Sequence, residues 1–324
     1  MWSRRQKSDH QRGRSPDAGD CISLQSSSDV GVDVRLDRLI VLSWGKAGFG
    51  RGFPKISGFR VVRDTRVRPQ GRVKTYGRVR ELASRISNTR LFWQYEAGPG
   101  WLKDWRITII GDDLTGIRPD EVFRILKRCR YAWLSLVELA FDFDPQTGVT
   151  RTFVQKHGHF GKSQFRPDRG GPGQRRYGTR KSGKLIRCYW KSAVNAYRVE
   201  VEVHSRLLYR GRRTRISEGS AGLTQDLASV PYLICPKHFC FVRFNWEALR
   251  TYLRRRFGTE GNTIARMAKQ KAGISLRRAS GFLRRKGIRN VHRFLVSMRI
   301  NRAVKKALTK WATKFREYFD QHTV

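Results

Sequence analysis

Two stretches of this chain sort their residues by strict alternation, and that pattern constrains the fold more than any other feature. In Val137-Glu138-Leu139-Ala140-Phe141-Asp142-Phe143-Asp144 every odd position is apolar, and the even positions are Glu138, Ala140, Asp142 and Asp144. Side chains on a strand alternate between faces, so one face is core and the other carries three carboxylates around a small residue. Arg198 to His204 repeats the pattern, with Val199, Val201 and Val203 against Arg198, Glu200, Glu202 and His204. If both strands share a sheet, five carboxylates and a histidine converge on one surface. Crowded carboxylates repel one another unless a cation or a base pairs with them. Two solutions are open. Arginines could neutralise them and leave a salt-bridged sheet face, or Glu138, Asp142, Asp144, Glu200 and Glu202 could supply oxygens to a hard divalent cation, Mg²⁺ or Mn²⁺.

A third strand, Leu185 to Lys191, puts Arg187, Tyr189 and Lys191 on one face. A tyrosine flanked by two cations beside a metal suggests nucleophilic attack on a phosphodiester: the cations favour the phenolate and the metal polarises the phosphate. Tyr189 is the first candidate nucleophile and Tyr177 its rival; a tyrosine that merely packs is the plainer reading of either.

The chain carries 68 Lys and Arg against 26 Asp and Glu, a net charge of +42 over 324 residues. The commonest biological counter-charge is phosphate, so nucleic acid is the expected partner. Arg175, Arg176, Arg180, Lys181, Lys184, Arg187 and Lys191 are the candidate DNA contacts around the strands. Between Arg243 and Arg316 there are 22 Lys and Arg and only two acids, Glu247 and Glu260. Within that block residues 263–286 read as a helix-turn-helix: Ala272-Gly273 at the turn, Ser275 as N-cap, then a helix carrying Arg277 and Arg278 toward base edges. An ordinary basic helical hairpin is the alternative. Phe294, Leu295, Met298, Ile300, Val304, Leu308, Trp311 and Phe315 form a helical apolar stripe suited to a core or to a homodimer contact.

The domain plan expected from these textures is a disordered polar tail (1–33), an α+β domain (34–210) and a basic, mainly helical region (211–324). Strands are predicted at 39–42, 105–110, 134–144, 185–191 and 197–204. A helix opens at Arg118-Pro119-Asp120-Glu121, and 158–183 is a Gly-rich loop or hairpin. No apolar run is long enough for a membrane helix, and the polar N-terminus has no secretory h-region. Five scattered cysteines fit a reducing cytosol rather than a disulfide scaffold. Gly161-Lys162-Ser163 has Lys156 where a phosphate-binding loop needs its leading Gly, so no ATPase is indicated. Cys235, His238 and Cys240 lack a fourth zinc ligand.

The segment Tyr177-Gly178-Thr179-Arg180-Lys181-Ser182-Gly183-Lys184-Leu185-Ile186-Arg187-Cys188-Tyr189-Trp190-Lys191 resembles the YxGSRKSxxxxRxYxK segment of rolling-circle replication initiators, the Rep_trans family of plasmid and filamentous-phage initiation factors. Glu138 to Asp144 looks like that family's R-[IV]-D-x-A-x-D strand, and Tyr197 to Glu202 like its R-x-E-x-E strand. Order and approximate spacing agree over residues 35–210. The resemblance implies an antiparallel-sheet, HUH-like nuclease domain and a metal-dependent nickase-ligase acting at a single-stranded or cruciform origin site. A tyrosine would join covalently to the 5′ phosphate and leave a 3′-OH for the host polymerase, with the helicase also supplied by a bacterial host in whose cytoplasm the protein works. By position Tyr189 carries over as nucleophile, Asp142, Asp144 and Glu200 as metal ligands, and Arg180, Lys181 and Arg187 as phosphate contacts. Glu138 stands where the family often has Asp, Thr179 where it often has Ser, and Trp190 where it is usually polar. A relaxase or transposase would share this chemistry, and a non-catalytic DNA-binding protein would share the charge. His157-Gly158-His159 lacks the hydrophobic centre of a metal-binding His pair.

Overall fold

The computed structural model describes residues 31–43, 55–66, 76–97, 105–129, 131–160, 165–166, 173–209, 220–234 and 239–322. Its strands in chain order are β1 (Val32–Ser43), β2 (Phe59–Arg66), β3 (Tyr76–Ser84), β4 (Arg90–Ala97), β5 (Trp105–Ile110), β6 (Ala132–Phe143), β7 (Gly158–His159), β8 (Phe165–Arg166), β9 (Arg175–Thr179), β10 (Lys184–Lys191), β11 (Ala196–His204), β12 (Cys240–Phe244) and β13 (Leu295–Ser297). Ten of them form one sheet in the order β2-β3-β4-β5-β1-β6-β11-β10-β9-β8, and all of its pairings are antiparallel. A second sheet has the order β13-β12-β7. Eight α-helices complete the described residues: α1 (Pro119–Leu126), α2 (Arg151–His157), α3 (Ser205–Leu208), α4 (Ser220–Ile234), α5 (Trp246–Phe257), α6 (Glu260–Ile274), α7 (Leu276–Arg285) and α8 (Ile300–His322).

The alternation in β6 and β11 dictates which face is covered. Val137, Leu139, Phe141, Phe143, Val199, Val201 and Val203 have no solvent exposure. They share one core with Val122 and Ile125 of α1, Leu223, Leu227 and Val230 of α4, and Val304, Leu308, Trp311, Phe315 and Phe319 of α8. The apolar stripe of α8 is therefore spent inside the chain, on the sheet. Burial of this size is the dominant stabilising contribution, at roughly 25 cal/mol per Å² of apolar surface.

Two boundaries differ from expectation. β1 begins at Val32, so the strand takes the last residues of the segment read as a tail; residues 1–30, like Gly161–Lys162–Ser163 and Cys235–His238, lie outside the described residues. The helical C-terminal half also does not form one unit. α4 and α8 join the sheet's core, whereas α5, α6, α7 and β12 build a second core from Leu249, Leu253, Ile264, Ala268, Ala279, Phe282, Leu283 and Phe294. In that module α6 runs through Ala272 and Gly273, and the corner is the single residue Ser275. Its hydroxyl caps α7 by accepting from the Arg278 amide at 3.2 Å.

Candidate active site

The face opposite the core is built by cross-strand register. Glu138 on β6 lies opposite Glu202 on β11 and Arg38 on β1. Ala140 lies opposite Glu200, which lies opposite Arg187 on β10; Asp142 lies opposite Arg198, which lies opposite Tyr189. Directly opposed residues project from the same side. Each row of this surface, which includes Tyr189, thus sets at least one arginine directly beside an acid.

A fifth acid reaches this surface through an irregularity in β1. Val32, Val34 and Leu36 alternate inward, but Leu39 and Val41 continue the core in the opposite phase, because the register with β6 slips between Leu36 and Arg38. The extra residue is Asp37. A β-bulge sets two residues against one on the partner strand and re-aims a side chain. The loop after β5 holds this bulge through its backbone: the Gly111 amide donates to Asp37 O at 2.8 Å, and the Ile117 amide to Leu36 O at 2.7 Å. Gly116 adopts φ +67°, and a Cβ there would stand 2.9 Å from Leu36 O, so this grip requires glycine.

Asp37, Glu138 and Glu200 present carboxylate oxygens that all lie within 4.8 Å of one another. Glu138 Oε2 and Glu200 Oε2 are buried without a hydrogen bond. Arg38 Nη2 is 2.9 Å from the first and Arg187 Nε 2.8 Å from the second, close enough to pair electrostatically but misaligned as donors. Arg187 also bonds Glu138 Oε1. Three clustered hard oxygens, two with unused lone pairs, fit a divalent ion such as Mg²⁺ or Mn²⁺. Burial pushes the Glu138 carboxyl up to about 7 against the pull of Arg187 and Arg38. Burial likewise pushes Asp37 up to about 6, with Arg198 opposing and Glu200, Asp113 and Asp142 adding to the rise.

Tyr189 donates its hydroxyl hydrogen bond to Glu200 Oε1. Burial and the Glu200 charge both push the phenol's pKa up. This corrects the expectation that flanking cations favour the phenolate: Arg187 is turned to Glu138 and Glu200, and Lys191 pairs with Asp113 at 2.8 Å. The phenol keeps its proton and points it at a carboxylate. Tyr177 lies opposite Ile186, on the core side of the sheet, with its ring 4.4 Å from that of Phe160. Burial pushes it up to about 12.

The remaining candidates are dispersed. Asp142 is held by Arg198 in a bidentate pair of 2.7 and 2.9 Å, with Arg35 at 3.5 Å, and is not part of the triad. Asp144 falls one residue past β6, is exposed, and caps the following turn by accepting from the Gln146 amide at 2.8 Å. Burial would raise Glu202, but hydrogen bonds from His204 and Arg180 outweigh it and hold the carboxyl down at about 2. Arg176 shares the face of Arg187, whereas Arg175, opposite Cys188, shares the core side. Arg180 and Lys181 are exposed on a turn, and Arg277 and Arg278 are exposed on α7. Lys184 is a correction: it has the parity of Ile186 and Cys188, is 6% exposed, and its ammonium donates to Phe160 O at 2.7 Å. Burial lowers its pKa to about 8, and it presents no charge to a DNA face.

No family model matches the chain, and no curated protein matches it. Among solved structures the chain is similar to a rolling circle replication initiator protein from Geobacillus stearothermophilus. The identity is 15% and the TM-score 0.36, over 66% of this chain and 88% of that one. Among the described residues no helix is long and apolar enough to cross a membrane.

The triad has a stability cost that can be measured. A carboxyl raised from 3.8 to about 6 contributes stability while protonated, fully present below pH 3.8 and lost as pH rises through about 6. Above pH 6 the ionised Asp37, a side chain 18% exposed, therefore costs the fold up to about 3 kcal/mol. Asp37→Asn is expected to stabilise the protein at pH 8 by about 2 kcal/mol, to change it little at pH 4, and to abolish any stabilisation by Mn²⁺. Urea titrations at both pH values, with and without Mn²⁺, check all three.

Proposed function

We propose that the protein is a metal-dependent DNA strand-nicking and rejoining enzyme that initiates rolling-circle replication of a plasmid or phage in the bacterial cytoplasm, with Tyr189 as nucleophile. One observation carries the reading: on an open sheet face, the only tyrosine hydroxyl bonded to the triad among the described residues is that of Tyr189, on Glu200. The motif resemblance over 177–191 and 197–202 supports the same assignment.

Asp37, Glu138 and Glu200 would hold the ion, which when bound neutralises charge on the scissile phosphate. Glu200 accepts the phenol proton as the Tyr189 oxygen attacks phosphorus. The P–O3′ bond breaks, the 3′ oxygen leaves and takes a proton from solvent, and the 5′ phosphate stays on Tyr189 as a phosphodiester. Rejoining is the reverse, with a 3′-OH attacking the phosphotyrosine. Arg176, Arg180 and Lys181 near the site, and Arg277 and Arg278 on α7, serve as phosphate and base-edge contacts. The host polymerase extends the free 3′-OH behind a host helicase.

A second reading is favoured by one fact. Glu138, Asp142, Glu200 and Glu202 each have an arginine within ion-pair distance, as in a purely structural face of a DNA-binding protein. Supercoiled DNA carrying the gene's own flanking sequence separates the two. With Mn²⁺ the nickase relaxes it and leaves protein on a 5′ end, and with EDTA it does neither. Binding without nicking under both conditions would sink the catalytic reading.

A further inference from the structure

The sheet's open face does not end at the triad. It continues across β1, β5, β4 and β3 to the edge strand β2, and the register prescribes what lies there. One row runs Glu138, Arg38, Ile110, Arg90, Ala83, Arg60. The next runs Ile40, Thr108, Phe92, Glu81, Arg63, and the third Leu42, Arg106, Gln94, Val79, Thr65. Beyond Glu138, these rows carry five arginines and a single acid. Glu81 is paired with Arg90 at 3.3 Å; Arg60, Arg63 and Arg106 have no carboxylate within ion-pair distance among the described residues. Arg60 and Arg63 are exposed, and Ile110 is 42% exposed. Arg106 folds along its own strand, donating to Thr108 Oγ1 at 3.2 Å toward the triad. Burial presses its pKa down, with Tyr76 opposing and the cations of Arg180 and Arg38 adding to the fall. The helices α1, α4 and α8 pack with Leu82, Leu91 and Ile109 on the other side of the same strands.

We infer that this half of the sheet is a track for single-stranded DNA, leading the strand that flanks the nick from the triad to β2 by phosphate contacts to Arg106, Arg90, Arg63 and Arg60 and base contacts to Phe92 and Ile110. It spans four strand spacings, about 19 Å. Cations interleaved with an aromatic ring and an exposed apolar side chain suit a strand whose bases are unstacked and free to lie on the sheet, whereas a duplex keeps its bases out of reach. The inference rests on the reading of Tyr189 and the triad as the nicking centre, because the row of Arg38 starts there.

The test measures affinity of the full chain, in EDTA, for a fluorescent 20-nucleotide oligothymidine and for a mixed-sequence duplex of equal length. Replacing Arg60, Arg63 and Arg90 by alanine is expected to weaken single-strand binding by at least about tenfold and to lower the slope of log affinity on log salt by about 2. Duplex binding should change by less than about threefold, since its contacts lie elsewhere. Phe92→Ala should weaken single-strand binding by about tenfold. The R60K/R63K/R90K protein retains the charges and should bind like the parent, which separates lost contacts from lost folding. An unchanged single-strand affinity and slope would overturn the track. So would an equal loss for duplex, which would assign the face to double-stranded DNA. Because EDTA binding needs no cleavage, a protein that never nicks but loses oligothymidine in the alanine variant would sink the nickase reading and leave the track standing.

Discussion

A Tyr189→Phe protein is expected to bind single-stranded DNA as tightly as the parent while its covalent adduct falls by at least about 10³-fold. The substitution removes one oxygen. That oxygen is the proposed nucleophile, and its hydrogen bond to the Glu200 carboxylate is worth about 1.5–3 kcal/mol, so undiminished DNA binding by the variant is what shows that it is folded. Tyr177→Phe is the matched control. Its ring packs against Phe160 behind the sheet, so losing its hydroxyl leaves the open face intact and adduct formation within about threefold of the parent. The assay is a denaturing gel of labelled oligonucleotide with Mn²⁺. An adduct that persists in Tyr189→Phe and vanishes in Tyr177→Phe would reverse the assignment.

The second large effect is on stability. Arg198 is fully buried, and its guanidinium makes the bidentate pair with Asp142, donates to Asp113 O at 3.1 Å and stands 3.7 Å from Asp37. Arg198→Ala strands the Asp142 carboxylate, 5% exposed, with only the more distant Arg35 for company. Breaking one side of a buried pair costs about 3–5 kcal/mol, chiefly because the other charge stays behind. A urea midpoint lowered by that free energy divided by the slope, with the slope itself unchanged, is the expected reading. Arg198→Lys keeps the charge but loses the fork, and should fall between. Combining Arg198→Met with Asp142→Leu should cost less than Arg198→Ala alone, since no charge is then left unpaired. Arg63→Ala on the exposed edge strand should shift the midpoint by under about 0.5 kcal/mol.

Where period-2 logic applies without interruption, the sequence is a faithful guide. The faces of β6 and β11 follow directly from alternation, and so does the company of Tyr189 with Arg187. The same logic, carried one residue further, puts Lys184 on the core side with Ile186 and Cys188, whereas the side of Tyr177 follows only from the hairpin register that sets it opposite Ile186. Asp144 stands apart from the triad for a different reason: the alternation continues into a residue that the strand does not, because Pro145 ends it. Asp37 was hidden by the bulge, although its trace is visible in β1, where the apolar phase jumps from Leu36 to Leu39. The arginine partners of Asp142 and Glu202 depend on which strands are neighbours, which is long-range information that alternation does not carry. The return of α8 to the sheet is of the same kind. Its stripe is plain in the sequence, but the surface it covers is set by the rest of the chain.

That return couples β1 to α8. Leu39 and Val41 of β1 share one core with Leu308 and Phe315 of α8, and the Asp37 bulge sits in the same strand. During synthesis α1 and α4 emerge before α8, and the part of the sheet's apolar face that α8 covers stays bare until that helix has been made. A product truncated before α8 lacks Val304, Leu308, Trp311 and Phe315 from the core that backs this strand. The sheet face that holds Asp37, Glu138 and Glu200 is therefore expected to keep its geometry only in a chain that carries α8.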